Sequence, residues 1–209
     1  MTSPTADLDL HIVQRIRKLA VLAGLVGLIL VAVFTQSVGG PDTRRHEGLE
    51  ALGLAAIAVA IVGRAWCSLY IGGRKKAEIV TRGPYSLCRN PLYIFSFIGS
   101  FGMGAQAGSL TVGLLFLAVT VLIFSQTVRR EERFLAGAFG DPYRAYMKRT
   151  PRFVPNFSLW NDEKELIVRP EFFLLTLRDG MVLLLAVPLF ELIDMGQADG
   201  WLKVFAYLP

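Results

Sequence analysis

Two stretches of this chain carry no charge over lengths that water-soluble proteins rarely sustain. Leu19–Val38 runs for 20 residues and Pro91–Val128 for 38, the second broken only by small and polar residues. A bilayer core takes about 20 apolar residues per helix. Only 19% of the 209 residues are charged, and the mean hydropathy is +0.47. An ordinary soluble domain carries about 25% charge. The sequence therefore reads as an all-α, polytopic membrane protein. Disordered, fibrous and disulfide-stapled secreted classes are excluded.

The spans follow from the charge map. Met1–Lys18 is polar and then basic, but the apolar run behind it is too long for a cleaved signal and no small-residue cleavage site follows. Residues 1–18 are thus expected as a cytoplasmic segment, and 19–38 as a first, retained span. Gly39-Gly40-Pro41-Asp42 marks a turn. A second span is expected over about 49–72, with Arg64 inside it. Pro91 opens a third (91–107), since proline suits the first helical turn. A tight hairpin at Gln106-Ala107-Gly108 leads into a fourth (109–128). The charged run Arg129–Arg133 is where the chain must leave the hydrocarbon. Gly140 is expected to cap a short helix, Asp141-Pro142 to start another as cap and first residue, and Thr150-Pro151 to stop it. Phe172–Ile193 holds Arg178, Asp179 and Pro188, and reads as a fifth span or an interfacial helix, with the span favoured. This divides the chain into residues 1–18, a core over 19–171, and a C-terminal helix and tail over 172–209.

Lysine and arginine set the orientation. Eighteen lie in the N-terminus, 73–90 and 129–178; only Arg44, Arg45 and Lys203 fall on the other side. The positive-inside rule puts the first group in the cytoplasm, with a bacterial inner membrane as the expected location. It also accounts for the net charge of +5 without a nucleic-acid partner. Cys67 and Cys88 suit buried apolar filler, and His11 and His46 stand alone in sequence, so no metal site is expected.

Chemistry-bearing residues gather in the two long cytoplasmic segments, 73–90 and 129–171, expected to form a cap. The first sets Tyr85, Arg89, Asn90 and Tyr93 around the Pro91 helix start. Free N–H groups and partial positive charge there suit a carboxylate. The second sets Glu131 and Glu132 where a span emerges. Successive helical residues point about 100° apart, so the two cannot serve one pocket alike. One is free to bind a ligand while the other pairs with Arg129, Arg130 or Arg133. Taken singly, each segment also suits an ordinary interfacial charge cluster.

Together the segments resemble the membrane methyltransferases of the isoprenylcysteine carboxyl methyltransferase and phospholipid methyltransferase type. Gly83, Tyr85, Arg89, Pro91 and Tyr93 match the first motif of that family. Glu131, Glu132, Leu135, Phe139, Gly140, Tyr143, Tyr146, Pro151, Arg152, Phe153 and Pro155 match the second at full spacing. Asn90 stands where the isoprenylcysteine branch usually has histidine, as it does in parts of the wider family. The resemblance covers about residues 50–155 and implies S-adenosylmethionine as methyl donor. It implies that Tyr85, Arg89, Asn90, Pro91, Tyr93, Glu131, Glu132, Tyr143 and Tyr146 hold the cofactor. Arg64 and Arg152 would hold a lipidic or membrane-embedded acceptor. For Arg64 a plain pairing with Glu78 or the headgroups is as good a reading. Gly99-x-x-Gly102-x-Gly104 reads first as a helix-packing surface and second as a close approach to the cofactor. A phospholipid or lipid-amine N-methyltransferase is the alternative within the class, and a non-catalytic membrane protein on the same scaffold is the alternative outside it.

Overall fold

The computed structural model describes residues 22–74 and 77–209. The expected N-terminal segment 1–18, the first three residues of the first span, and Lys75 and Lys76 lie outside them. The fold is mostly helical: α1 (Leu22–Phe34), α2 (Arg44–Ile71), α3 (Pro84–Leu87), α4 (Pro91–Ala105), α5 (Leu110–Phe139), α6 (Asp141–Arg149), α7 (Pro170–Met181) and α8 (Ala186–Ala198). A 3₁₀ turn, Val182–Leu185, joins α7 to α8, and Pro170–Ala198 makes one apolar helical stretch of 29 residues. Three stretches, Arg44–Ile71, Leu110–Phe139 and Pro170–Ala198, are long and apolar enough to cross a membrane; α1 and α4 are shorter apolar helices. Large apolar side chains such as Val62, Leu122, Leu185 and Leu192 point outward at 64–69% relative exposure where a soluble protein would place charge. The chain is an integral membrane protein.

Several boundaries differ from those read off the sequence. α1 stops at Phe34, because Thr35–Ser37 extends into a short strand, β1, that pairs in parallel with β2 (Ala206–Leu208), Thr35 opposite Ala206. Gln197 on α8 secures that corner, its amide donating to the carbonyls of Ala32, Val33 and Thr35. α5 does not end at Arg129. It continues unbroken to Phe139, so the first short cap helix is the end of the fourth span. Gly140, at φ +61°, caps α5, and Asp141 is the first residue of α6 rather than its cap. The stop at Thr150-Pro151 and the Gln106–Gly108 turn fall where expected, with Ser109 capping α5 through the Val112 N–H.

The helices meet in a core of Leu28, Ala32, Ile57, Ile61, Val112, Phe116, Ala186, Phe190 and Ile193, drawn from α1, α2, α5 and α8. α4 fits between α2 and α5 because its glycines allow close approach. A Cβ on Gly99 would meet Ala60, one on Gly102 would meet the Gly53 carbonyl and Ile57, and one on Gly104 would meet Phe116. The small-residue run is thus a packing surface, which substitutes in lipid for the missing hydrophobic drive between helices.

The bundle has two ends. One gathers the end of α1, the starts of α2 and α5, and the end of α8. The other gathers the end of α2, the start of α4, the charged end of α5, and α6. A reporter fused after Asp42 should therefore agree in sidedness with one after Asp199 and disagree with one after Lys148. Agreement of all three would mean that Pro170–Ala198 does not cross the membrane as drawn.

Candidate active site

At the second end, one carboxylate organises the site. Glu132 is buried at 3% relative exposure where α5 emerges from the apolar zone. Its Oε1 accepts from the Asn90 amide at 3.1 Å and lies 3.2 Å from Arg89 Nε. Its Oε2 accepts from Arg152 Nε at 2.9 Å and Nη2 at 2.7 Å. The partners are therefore Arg89 and Arg152, from segments far away in sequence, and not Arg129, Arg130 or Arg133. Arg133 instead donates to the Arg129 carbonyl within α5. Glu131, the next residue, turns away and accepts from the Tyr93 hydroxyl at 3.1 Å. The two glutamates serve different faces, as the helical offset requires.

Local chemistry explains how the partners arrive. Gly83 holds φ +55°, and a Cβ there would collide with the ring of Tyr70, so the turn into α3 admits only glycine. Asn90 precedes Pro91 at the start of α4 but makes no side-chain cap, since its amide is committed to Glu132 and to the Arg152 carbonyl. Arg89 is held by the Met147 carbonyl through Nη1 and by the Pro151 carbonyl through its backbone N–H. Phe153 packs edge-on against Phe97 of α4 and anchors the segment that carries Arg152.

The tyrosines divide. Tyr93 is half-buried, beside Phe124 and Glu131. Tyr85, Tyr143 and Tyr146 are buried, and Tyr146 donates to the Tyr85 carbonyl at 2.6 Å, tying α6 to α3. Burial, and then the nearby Glu132 carboxylate, pushes the Tyr143 hydroxyl up to about 12. Burial raises Tyr85 and Tyr146 as well, and pushes the Cys88 thiol up to about 11. All four stay protonated near neutral pH, so none is a ready base or nucleophile there. Both cysteines are free and buried. The hydrogen bond to Glu132, followed by its charge, raises Arg152.

Arg64 sits on α2 and donates to the Ser96 hydroxyl on α4. Ser96 lies three residues after Tyr93 on α4, so Arg64 stands about one helical turn deeper than the Tyr93–Glu131 pair. It does not pair with Glu78, which Arg74 takes at 3.1 Å. A cleft of about 770 Å³ opens beside Arg89, lined by Lys148, Arg149, Pro151, Asn156 and Phe157 among others.

One part of the cap has no motif in the sequence. Residues 156–162 run back along α3: Asn156 N–H donates to the Leu87 carbonyl, Gly83 N–H to the Asn161 carbonyl, and Asn161 N–H to the Ser86 hydroxyl. Tyr70 donates to the Asp162 carboxylate at 3.0 Å, and Trp160 stacks on Trp66. Only the aromatic and Asx residues themselves hint at this, because their partners lie 69 or more residues away in sequence.

The family model for phospholipid methyltransferases matches residues 51–142. The chain is 34% identical over 185 residues to a nickel-cobalt-cadmium resistance protein of Alcaligenes xylosoxydans xylosoxydans, covering 88% of this chain and 86% of the relative. It is 38% identical over 160 residues to a cobalt-zinc-cadmium resistance protein of Cupriavidus metallidurans, covering 77% and 74%. It is also 33% identical over 103 residues to a protein-S-isoprenylcysteine O-methyltransferase of Schizosaccharomyces pombe, covering 49% and 44%. No solved structure matches the chain.

Neutralising Glu132 strands two guanidinium groups, and breaking such a buried pair costs about 3 kcal/mol or more. Glu131→Gln alters a hydrogen bond worth about 1 kcal/mol. In detergent, the thermal midpoint of Glu132→Gln should drop well below that of Glu131→Gln. Equal midpoints would show that Glu132 does not hold the cap together.

Proposed function

Because this chain belongs to the family of membrane methyltransferases of the isoprenylcysteine carboxyl methyltransferase and phospholipid methyltransferase type, we propose that it transfers a methyl group from S-adenosylmethionine to a lipidic or membrane-embedded acceptor. The observation that carries the reading is the convergence of both motifs on Glu132 at one end of the bundle. S-adenosylmethionine supplies an already activated methyl group on a sulfonium, so the protein's tasks are alignment and exclusion of water. The functional unit under this reading is the core over 19–171, with 172–209 as its C-terminal helix and tail, and the cap facing the cytoplasm of a bacterial inner membrane.

The residues present fit that cofactor. Arg89 Nε is buried and makes no hydrogen bond, despite its nearness to Glu132, so it suits a ligand carboxylate beside the α4 helix start at Pro91. Asn90 and Glu132 hold Arg89 in place rather than meeting the ligand first. Glu131, sharing the Tyr93 hydroxyl, accepts from an ammonium or ribose hydroxyl. Tyr143 adds a ring edge near the same carboxylates, while Tyr85 and Tyr146 act by fixing α6 on α3. Arg64, a turn deeper, suits an anionic acceptor group reaching in from the bilayer. Arg152, committed to Glu132, borders the acceptor side.

Calorimetric titration of the purified protein with S-adenosylmethionine tests this. Wild type should bind. Glu131→Gln should bind about tenfold more weakly, which is about 1.4 kcal/mol. Arg89→Ala should bind roughly ten- to a hundredfold more weakly, and Arg89→Lys should recover only part, lacking the fork. No binding by a folded wild type would overturn the reading.

A second reading concerns the setting. Two relatives, at 34% and 38% identity and matched over 86% and 74% of their own length, are named for resistance to nickel, cobalt, zinc and cadmium. We propose that the methyl transfer serves such a resistance system. Exchanging the wild-type chain for Glu131→Gln in its native host should lower tolerance to cobalt or cadmium. Unchanged tolerance would remove this setting and leave the chemistry standing.

A further inference from the structure

At the end of the bundle away from Glu132, His46, Glu50 and Asp194 bring an imidazole and two carboxylates together. Glu50 lies one turn after His46 on α2, and α8 supplies Asp194 from 148 residues further along the chain. His46 Nε2 lies 3.3 Å from a Glu50 oxygen and 3.3 Å from an Asp194 oxygen. One donor atom from each of the three residues falls within 4.8 Å of the others. The imidazole is 2% exposed, whereas Glu50 and Asp194 keep 29% and 16% exposure, so the cluster is built in yet reaches the end face.

Ser37 Oγ lies 2.9 Å from His46 Nδ1 and 3.4 Å from the Gly40 carbonyl. In the tautomer with the proton on Nδ1, the hydroxyl accepts from the ring and donates toward that carbonyl. That directs the Nε2 lone pair at the two carboxylates. The ring cannot swing away, because Gly108, at φ +60°, lies against it so closely that a Cβ would overlap Nδ1. The Gln106 amide pins the start of α2 through the Glu50 carbonyl.

Three electron-pair donors thus face one point, and something positive must sit between them. A proton on Nε2 leaves the cluster with one net negative charge in a poorly hydrated place. Its hydrogen bonds would also be long, since charged N–H···O contacts prefer about 2.7–2.9 Å. A divalent ion balances two carboxylates and a neutral imidazole. Ligands bonded at about 2.0 Å around a tetrahedral ion stand about 3.3 Å apart, which is the spacing found from the imidazole to each carboxylate, with all three donor atoms within 4.8 Å of one another. We propose that His46, Glu50 and Asp194 form a binding site for a first-row divalent transition-metal ion, with Ser37 as the residue that orients the imidazole. One imidazole with two carboxylates is a borderline donor set that suits Zn²⁺ or Co²⁺ better than Ca²⁺, which takes six or more oxygens. The ion would fasten the end of α8 to the start of α2, beside the β1–β2 pair. This site stands apart from the methyl-transfer reading and needs no cofactor.

The test uses untagged, chelator-treated protein in detergent, titrated with Zn²⁺ alone. Wild type should bind one ion, and its thermal midpoint should rise with Zn²⁺. Asp194→Asn and Glu50→Gln, which keep side-chain shape, should each bind at least about tenfold more weakly and lose the midpoint rise. Ser37→Ala should weaken binding roughly tenfold, the usual effect of removing a group that orients a metal-ligating histidine. Co²⁺ in place of Zn²⁺ should give the visible absorption of a low-symmetry, four-coordinate ion. Absence of binding to wild type, or binding unchanged by Asp194→Asn, would overturn the proposal and show a protonated His46 paired with two carboxylates instead. S-adenosylmethionine affinity, measured on the same samples, reports the other end, so the two readings fail separately.

Discussion

Glu132 is buried where α5 leaves the apolar zone, and an ionised carboxylate there is unstable without compensation. Compensation comes from Arg89 and Asn90 just before α4, and from Arg152 just after α6. A charge that cannot be left alone therefore determines where three separate segments must stop. Once Arg89 and Arg152 are fixed, Pro91 starts α4, Phe153 finds Phe97, and Glu131 is turned by about 100° toward Tyr93. The site is a consequence of neutralising one side chain. Replacing such a network by well-packed apolar residues often costs little stability, but it would remove the geometry that orients Arg89.

The membrane part obeys a different rule. Lipid is as apolar as leucine, so burial alone does not draw these helices together. Close backbone approach at Gly99, Gly102 and Gly104 does, and so do a few polar side chains with obligatory partners. Gln197 holds the end of α1, Ser100 meets the Phe116 carbonyl and Thr120, and Arg64 meets Ser96. Each sets a donor or hydroxyl against another helix rather than hydrocarbon, while the buried Gln197 Oε1 and Arg64 Nε make no hydrogen bond among the described residues.

The all-α membrane fold, the helix starts and stops and the family were legible because each rests on local signals: charge-free length, proline starts, glycine stops and motif spacing. The divergence of Glu131 and Glu132 was legible too, since it follows from helical pitch. Their partners were not. Nothing near Glu132 in sequence says that Arg89 and Arg152 will outcompete Arg130 and Arg133, because that choice depends on which helices pack side by side. The same holds for His46. It looked solitary beside Glu47, yet the charge that matters, Asp194, arrives with the last helix. The α5 extension past Arg129 was missed because a charged run reads as an exit from lipid. A helix can leave the bilayer without ending.

α2 joins the two ends, with His46 in its first turn and Tyr70 in its last. The 24 helical steps from one to the other span about 36 Å at 1.5 Å per residue, with no proline to bend the helix. Over that distance two unit charges interact by only about 0.5 kcal/mol at an effective dielectric of about 20. An ion at His46 therefore tunes Arg89 or Glu132 only weakly through its field. A mechanical route would need an element with two arrangements, and α2, packed against α4 through Gly53 and Gly63 with no room for even a Cβ, is a rigid beam. The path left is through α8 and α7, whose start lies beside the cap, where Arg169 packs on Gly73. Fastening Asp194 would steady that helix against α2 without altering the chemistry of the cap. The His46 cluster at one end and the Glu132 network at the other are thus joined by packing rather than by charge.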